Sequence, residues 1–204
     1  MLAKKSIVNR KNFNNILLIV HLPEVDSGLL KVYNALMDNI VLIGMPASGK
    51  STAGVLLAKT IGYGYIDCDL LIQNEQKALL CDIISRVGVQ GFIEIEEKVN
   101  AELWAERCII STGGSVIYGD RAMQHLKSIG KVVYIKVSLR ELEKRLNGRD
   151  LFSRGVVMRK PGTTLAELYA ERAPLYEKYA DITVDCDTLT LDQTVDAIIK
   201  AVIL

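Results

Sequence analysis

The sequence predicts an α/β fold, a single phosphate-loop domain with a central five-stranded parallel sheet flanked by helices and one long loop serving as a mobile lid. Three observations carry that prediction. Short, continuously apolar runs alternate with helix-compatible stretches, the pattern of parallel strands buried on both faces and joined by crossover helices. A complete glycine-rich segment, Gly44-Met45-Pro46-Ala47-Ser48-Gly49-Lys50-Ser51-Thr52, stands directly between the first such run and the first helix. A chain of 204 residues is long enough for one substantial core and short for two full domains.

The domain is expected over residues 37–204, because Met37-Asp38-Asn39 immediately precedes the apolar run Ile40 to Ile43. Residues 1–36 then read as an N-terminal extension or as the product of an upstream start codon. Lys4, Lys5, Arg10 and Lys11 ahead of Ile16 to Val20 faintly imitate a signal peptide. That run is too short to span a bilayer, and Asn12, Asn14 and Asn15 dilute its flank. No membrane association is expected. The four cysteines, Cys68, Cys81, Cys108 and Cys186, form no CxxC pair, which suits a reducing cytoplasm better than a zinc or redox site. Lys and Arg total 25 against 24 Asp and Glu, so no polyanion track is predicted and nucleic acid is not an expected partner.

The elements follow in order. Ile40 to Ile43 is the first strand, and Ser51 to Ile61 the first helix, with Val55, Leu56 and Leu57 expected to face the sheet. Tyr63 to Asp67 is the second strand. Helical segments run from Leu70 to about Val87, and again from Phe92 to about Arg107 with Phe92, Ile95, Val99 and Leu103 as the apolar stripe and acids on the opposite face. Cys108 to Thr112 and Val132 to Val137 read as central strands separated by the helix Ala122 to Ile129. Ser138 is placed to cap the helix Leu139 to Leu146 with Glu141 as its capping-box partner. Periodicity then vanishes from about 147 to 164, a stretch containing Arg149, Arg154, Gly155, Arg159, Lys160 and Pro161. A long basic loop in a compact domain is costly to order without a role, and a lid over phosphate is the expected one. Leu165 to Ala180 returns to helix with Leu168, Leu175 and Tyr179 inward, Ile182 to Val184 is the last strand, and Leu191 to Val202 the last helix.

The glycine-rich segment carries the chemistry. Gly44 and Gly49, with Ala47 and Ser48 between them, let backbone N–H groups converge on anionic oxygens, and the helix starting near Lys50 adds the positive end of its dipole. Lys50 supplies a charge for the β- and γ-phosphates of ATP, Ser51 a hydroxyl for Mg2+, and Thr52 a further phosphate contact. At the end of the second strand, Asp67 is placed for the metal, while Asp69 is placed to accept a hydrogen bond from an attacking hydroxyl or to cap the following helix. Ser111-Thr112-Gly113-Gly114 ends a central strand, where Gly113 and Gly114 let a ligand approach the backbone. Arg154, with Arg149 as an alternate, is expected to reach the phosphates from the lid. Arg172 precedes Pro174, whose missing N–H locally interrupts its helix and aims Arg172 inward as a clamp for a carboxylate or phosphate. Glu94, Glu96 and Glu97 form an acidic patch that is solvated by default, with Glu96 singled out as an acid to orient a cleft arginine. His21 and His125 have no evident partners. Trp104 and the tyrosines are expected as packing groups.

With these residues in view, the chain resembles the shikimate kinase family from Asn39 to about Leu204. The matching pieces are GMPASGKST at 44–52, DCD at 67–69, GVQGFIEIEE at 88–97, STGGS at 111–115 and RAPLY at 172–176. The resemblance implies transfer of the γ-phosphoryl of ATP to the 3-hydroxyl of shikimate, with Mg2+, a helical substrate-binding region over about 70–107 and an arginine-bearing lid. It also implies that Ser51 and Asp67 serve the metal, Asp69 holds the acceptor hydroxyl, Gly113 and Gly114 contact substrate through the backbone, Arg154 is the lid arginine and Arg172 binds the shikimate carboxylate. A monomer is expected. The family reads FRxxE where this chain has Phe92-Ile93-Glu94-Ile95-Glu96, so Ile93 stands in place of a second carboxylate-binding arginine. Two alternatives therefore stay open, a kinase for another small hydroxylated metabolite and an inactive nucleotide-binding regulatory protein. The absence of an NKxD-like segment weighs against a GTPase.

Overall fold

A computed structural model describes residues 39–147, 155–160 and 162–203. The N-terminal extension, Arg149 and Arg154 lie outside the described residues.

The sheet is five-stranded, wholly parallel and ordered β2-β3-β1-β4-β5. Its strands are β1 (Asn39–Ile43), β2 (Gly64–Asp67), β3 (Cys108–Ser111), β4 (Gly130–Lys136) and β5 (Ile182–Asp185). Among the described residues the helices are α1 (Lys50–Ile61), α2 (Cys68–Gln76), α3 (Leu80–Ala101), α4 (Asp120–Ile129), α5 (Leu139–Leu146), α6 (Leu165–Tyr179) and α7 (Leu191–Ile203), with a 3-10 turn at Val116–Tyr118. Central β1 is buried at every position, which is why its sequence needs no polar alternation. Asn39 is the exception in type, and its side chain has several partners. Its Nδ2 donates to the carbonyls of Ala105 and Ile129, both at 2.8 Å, and its Oδ1 accepts from Cys108 N at 2.9 Å, so β1 is tied at its start to the chain entering β3 and β4.

Helix α3 is broken by Gly88, whose φ of 74° departs from helical geometry. That break falls in the gap between the two helical segments read from the sequence. Phe92 and Val99 face inward as expected, while the helix stops at Ala101, so Leu103 lies beyond it. A satellite apolar cluster of Ile72, Ile83, Ile84, Phe92, Val99 and Val157 fills the space under α2 and α3. Val157 belongs to the loop read as a lid, so its described part, from Gly155, is docked onto the substrate-region helices.

Four local expectations are corrected. Val55 is 52% exposed; α1 packs on the sheet through Ala53, Gly54, Leu57 and Ala58, of which Ala53, Gly54 and Ala58 are small and bring the helix close. Glu96 is buried, so the acidic face of α3 is not wholly solvated. Trp104 is 78% exposed and packs no core. Ser138 does cap α5 by accepting from Glu141 N, but the box is half made: Ser138 N donates to Asp187 at 2.6 Å, and the Glu141 carboxylate turns instead to Lys144 and Arg145. A full capping box occurs one helix later, at Thr164 and Glu167 of α6. No described helix is long and apolar enough to cross a membrane.

Candidate active site

In an open parallel sheet, ligands bind outside the carboxyl ends of the strands, where neighbouring connections diverge. Here β1 leads towards β2 on one side, while its neighbour β4 leads to β5 on the other. The glycine-rich loop leaves β1 at this divergence. Ala47 has φ 64° and Gly49 φ 97°, and Ser48 N closes a turn onto Met45 O at 3.1 Å. Gly49 is the N-cap of α1 and offers no side chain, and the first turn holds no acid. The leading N–H groups of α1 therefore face the cleft as an anion site. Lys50 is 8% exposed and folds back so that Nζ donates to the carbonyls of Gly44 at 2.8 Å and Met45 at 3.0 Å. Burial lowers its pKa to about 8, against the opposing pull of Asp69 and with the added push of Arg172. An incoming phosphate would relieve that desolvation by supplying the missing counter-charge.

The two aspartates divide their work differently from a simple alternation along a strand. Asp67, and not Asp69, is the N-cap of α2: its Oδ1 accepts from Asp69 N at 3.0 Å and Leu70 N at 3.3 Å, while its Oδ2 accepts from Tyr65 Oη at 3.2 Å. Cys68 between them is buried in the core. Asp69 is thereby free of capping and lines the cleft. Burial raises its pKa to about 6, with Lys50 opposing and Asp67 adding to the rise, so it remains mostly ionised at neutral pH while being a stronger base than an ordinary carboxylate.

One cleft of about 370 Å³ is lined by Ala47, Gly49, Lys50, Ser51, Thr52, Asp69, Gly114 and Arg172 from the sequence-predicted set. Gly44, Ser48 and Gly113 stand behind this wall, and Asp67 faces an adjoining depression that shares Asp69 and Gly155 with the cleft. The paired glycines are required by close approach. A methyl group at Gly113 would collide with the Glu96 carboxylate and lie 2.7 Å from Asp69 Oδ1; one at Gly114 would lie 3.0 Å from Arg172 Nη1 and 3.2 Å from Pro46 Cδ.

Arg172 is 1% exposed. Its Nε donates to Tyr118 Oη at 3.1 Å and its Nη2 to Val157 O at 2.7 Å. Glu96 does not hydrogen-bond to it: Glu96 is 1% exposed, and its carboxylate has Ser115 beside it but no well-formed hydrogen bond among the described residues. Burial, reinforced by Asp69, pushes the Glu96 pKa to about 8, against Ser115, Arg172 and Lys50. Ile93, one turn before Glu96, packs with the satellite apolar cluster. His125 is structural, bonded to Leu103 O at 2.7 Å.

Sequence reasoning missed Tyr118, Val157 and Arg145. Arg145, in the last turn of α5, lines the cleft and donates to Ser48 O at 3.0 Å and Cys186 O at 3.2 Å, joining the phosphate loop to the chain after β5. Its place just before the lid was the available signal.

Comparison with known proteins points to one family. The shikimate kinase family model matches residues 46–203. A shikimate kinase of Clostridium botulinum (strain Loch Maree) is 38% identical over 166 residues, covering 81% of this chain and 96% of its own. One from Thermodesulfovibrio yellowstonii is 34% identical over 168 residues, covering 80% and 94%. Among solved structures, a shikimate kinase from Acinetobacter baumannii in complex with shikimate superposes with a TM-score of 0.73 at 27% identity, covering 83% of this chain and 95% of that one. The enzyme from Aquifex aeolicus gives 0.67 at 28% identity, covering 80% and 95%.

Proposed function

The chain belongs to the shikimate kinase family, and from that premise we propose that its cleft transfers the γ-phosphoryl group of ATP to the 3-hydroxyl of shikimate. The observation that carries the reading is the convergence of Lys50, the open N-terminus of α1, Asp69 and Arg172 on one cleft. The loop amides and Lys50 hold the phosphates, Asp69 accepts a hydrogen bond from the attacking hydroxyl and takes its proton as the bond to phosphorus forms, and Arg172 holds the acceptor's carboxylate. Positioning of this kind, with charge stabilisation, accounts for most of the catalysis in phosphoryl transfer.

The donor set fits the Mg2+ that the family uses with ATP: a hydroxyl at Ser51 and a carboxylate at Asp67, already fixed by three hydrogen bonds, are hard oxygen ligands. Held by Ser51 and Asp67, the ion would supply charge neutralisation to the nucleotide's phosphates. Arg154 is our choice for the lid arginine on the family resemblance alone. The four free thiols support a cytoplasmic setting, and we read the protein as a monomer.

One observation favours a second reading. Ile93 brings no charge to the acceptor region, so a small hydroxylated metabolite without a carboxylate is the alternative substrate. ADP release measured with shikimate and with a panel of polyols, sugars and hydroxy amino acids separates the two. The proposal expects shikimate-dependent turnover that collapses in Asp69→Asn; no turnover at millimolar shikimate contradicts it.

A further inference from the structure

Arg172 is a buried cation held by neutral groups, and how it is held carries an inference beyond its assignment as the carboxylate clamp. Two ends of its guanidinium are committed, Nε to the Tyr118 hydroxyl and Nη2 to the Val157 carbonyl. The third, Nη1, lies against Gly114 in the cleft wall, where buried Tyr176, whose hydroxyl donates to Gly114 O at 2.6 Å, also neighbours the guanidinium. Tyr118 also packs its ring against the guanidinium, 5.3 Å from centroid to Cζ, a cation–π contact that strengthens when desolvated.

The direction of the hydrogen bonds is settled by chemistry. Arginine only donates, and a carboxylate only accepts. Tyr118 Oη therefore donates its proton to Glu171 Oε1 at 2.9 Å and turns a lone pair to Arg172 Nε. Glu171 is itself paired with Arg159 at 3.4 Å, and Arg159 lies 5.4 Å from the Tyr118 ring centroid. Arg159 and Val157 come from the same loop segment. Nε of the fork is thus fixed by a tyrosine whose own orientation is set by Glu171, and Nη2 by a loop carbonyl, with Tyr176 packed beside the guanidinium.

We propose that Tyr118 is a positioning residue for acceptor specificity, holding Arg172 so that Nη1 presents to the acceptor's anionic group. Where Ile93 leaves one fewer cation in this region, the single arginine must be aimed well, and the Tyr118 hydroxyl aims it. The inference rests on the reading of Arg172 as the carboxylate clamp.

The test compares Tyr118→Phe, Arg172→Lys and the double variant, using shikimate and its neutral carboxamide as acceptors. Tyr118→Phe keeps the ring, and its melting temperature is measured to establish that it folds. Loss of a hydrogen bond to a charged group corresponds to roughly 10-fold or more in binding. The expected result is a rise of about that size in KM for shikimate, with a much smaller change in KM for ATP and in kcat. The effect should disappear with the carboxamide and should not add to that of Arg172→Lys. If Arg172→Lys raises KM for shikimate while folded Tyr118→Phe does not, the positioning role is overturned and the clamp stands. If Arg172→Lys leaves KM unchanged and the carboxamide is phosphorylated as well as the acid, the clamp fails, and the inference fails with it.

Discussion

Replacing Glu96 by glutamine tests the most unusual electrostatic feature of the site. Glu96 is buried beside Asp69 with no well-formed hydrogen bond to either oxygen among the described residues and only Ser115, Arg172 and Lys50 opposing, and its pKa is pushed to about 8 from an ordinary 4.5. Between those values the folded protein keeps the proton and the unfolded chain gives it up, so this group's stability contribution is full below about pH 4.5 and is lost as pH rises to about 8. One bound proton corresponds to a slope of about 1.4 kcal/mol per pH unit as an upper bound. Glutamine has the shape of the neutral acid and does not titrate. Its amide adds a buried donor that costs about 1–3 kcal/mol if unpaired, but that offset is independent of pH. Urea unfolding of both proteins at intervals from pH 5 to pH 9, extrapolated linearly to water, gives the stability difference free of the other titrations. The variant should gain on the wild type steadily from about pH 5 to pH 8 and level off above, with several kcal/mol across the range. A difference that stays flat over the whole range would show that Glu96 is ionised and solvated in the folded protein, and would refute the reasoning.

Three further outcomes follow from the same structure. Ile93→Arg places a cation one helical turn before Glu96, gives that carboxylate a partner, and should lower KM for shikimate by about 10-fold or more; steady-state kinetics at pH 7.5 would count against the site if KM were unchanged or raised in a folded variant. Ala47 holds φ 64°, a left-handed conformation costing an alanine about 1–2 kcal/mol; after allowing for the greater freedom of glycine in the unfolded chain, Ala47→Gly should stabilise by about 0.5–1 kcal/mol in denaturant unfolding, and destabilisation would contradict the backbone assignment. Burial raises the Asp69 pKa to about 6, and Asp69 can take the acceptor's proton only when ionised, so kcat/KM should fall as pH drops through that value; a profile flat from pH 5 to pH 8 would remove Asp69 as the base.

The parts of this protein legible in its sequence are those fixed by local physics. The phosphate loop is one, because its glycine spacing, lysine and hydroxyls sit between a wholly apolar strand and a helix. The three inner strands are another, because burial on both faces leaves runs such as Cys108 to Ser111 with no polar alternation. Asp67 and Asp69 were legible as a pair, but the partition between them depends on which carboxylate reaches the N–H groups at the start of α2, and that depends on the angle of the turn. Val55 misled because apolar character was taken for inwardness, whereas close packing of α1 uses Ala53 and Gly54. Glu96 and Arg172 were legible as candidates. What surrounds them was not, since Tyr118 reaches Arg172 across 54 residues and Val157 reaches it from a loop without periodicity.

The central claim is that acceptor hydroxyl, Asp69 and the phosphate loop meet in one cleft. A crystal structure of the protein with shikimate and a non-hydrolysable ATP analogue tests it most directly. The account predicts the γ-phosphate on the α1 N-terminus and Lys50, the 3-hydroxyl within hydrogen-bond distance of Asp69 and in line with phosphorus, and the carboxylate on Arg172. Shikimate bound with its 3-hydroxyl away from Asp69, or nucleotide phosphates bound outside the loop of residues 44–52, would contradict it.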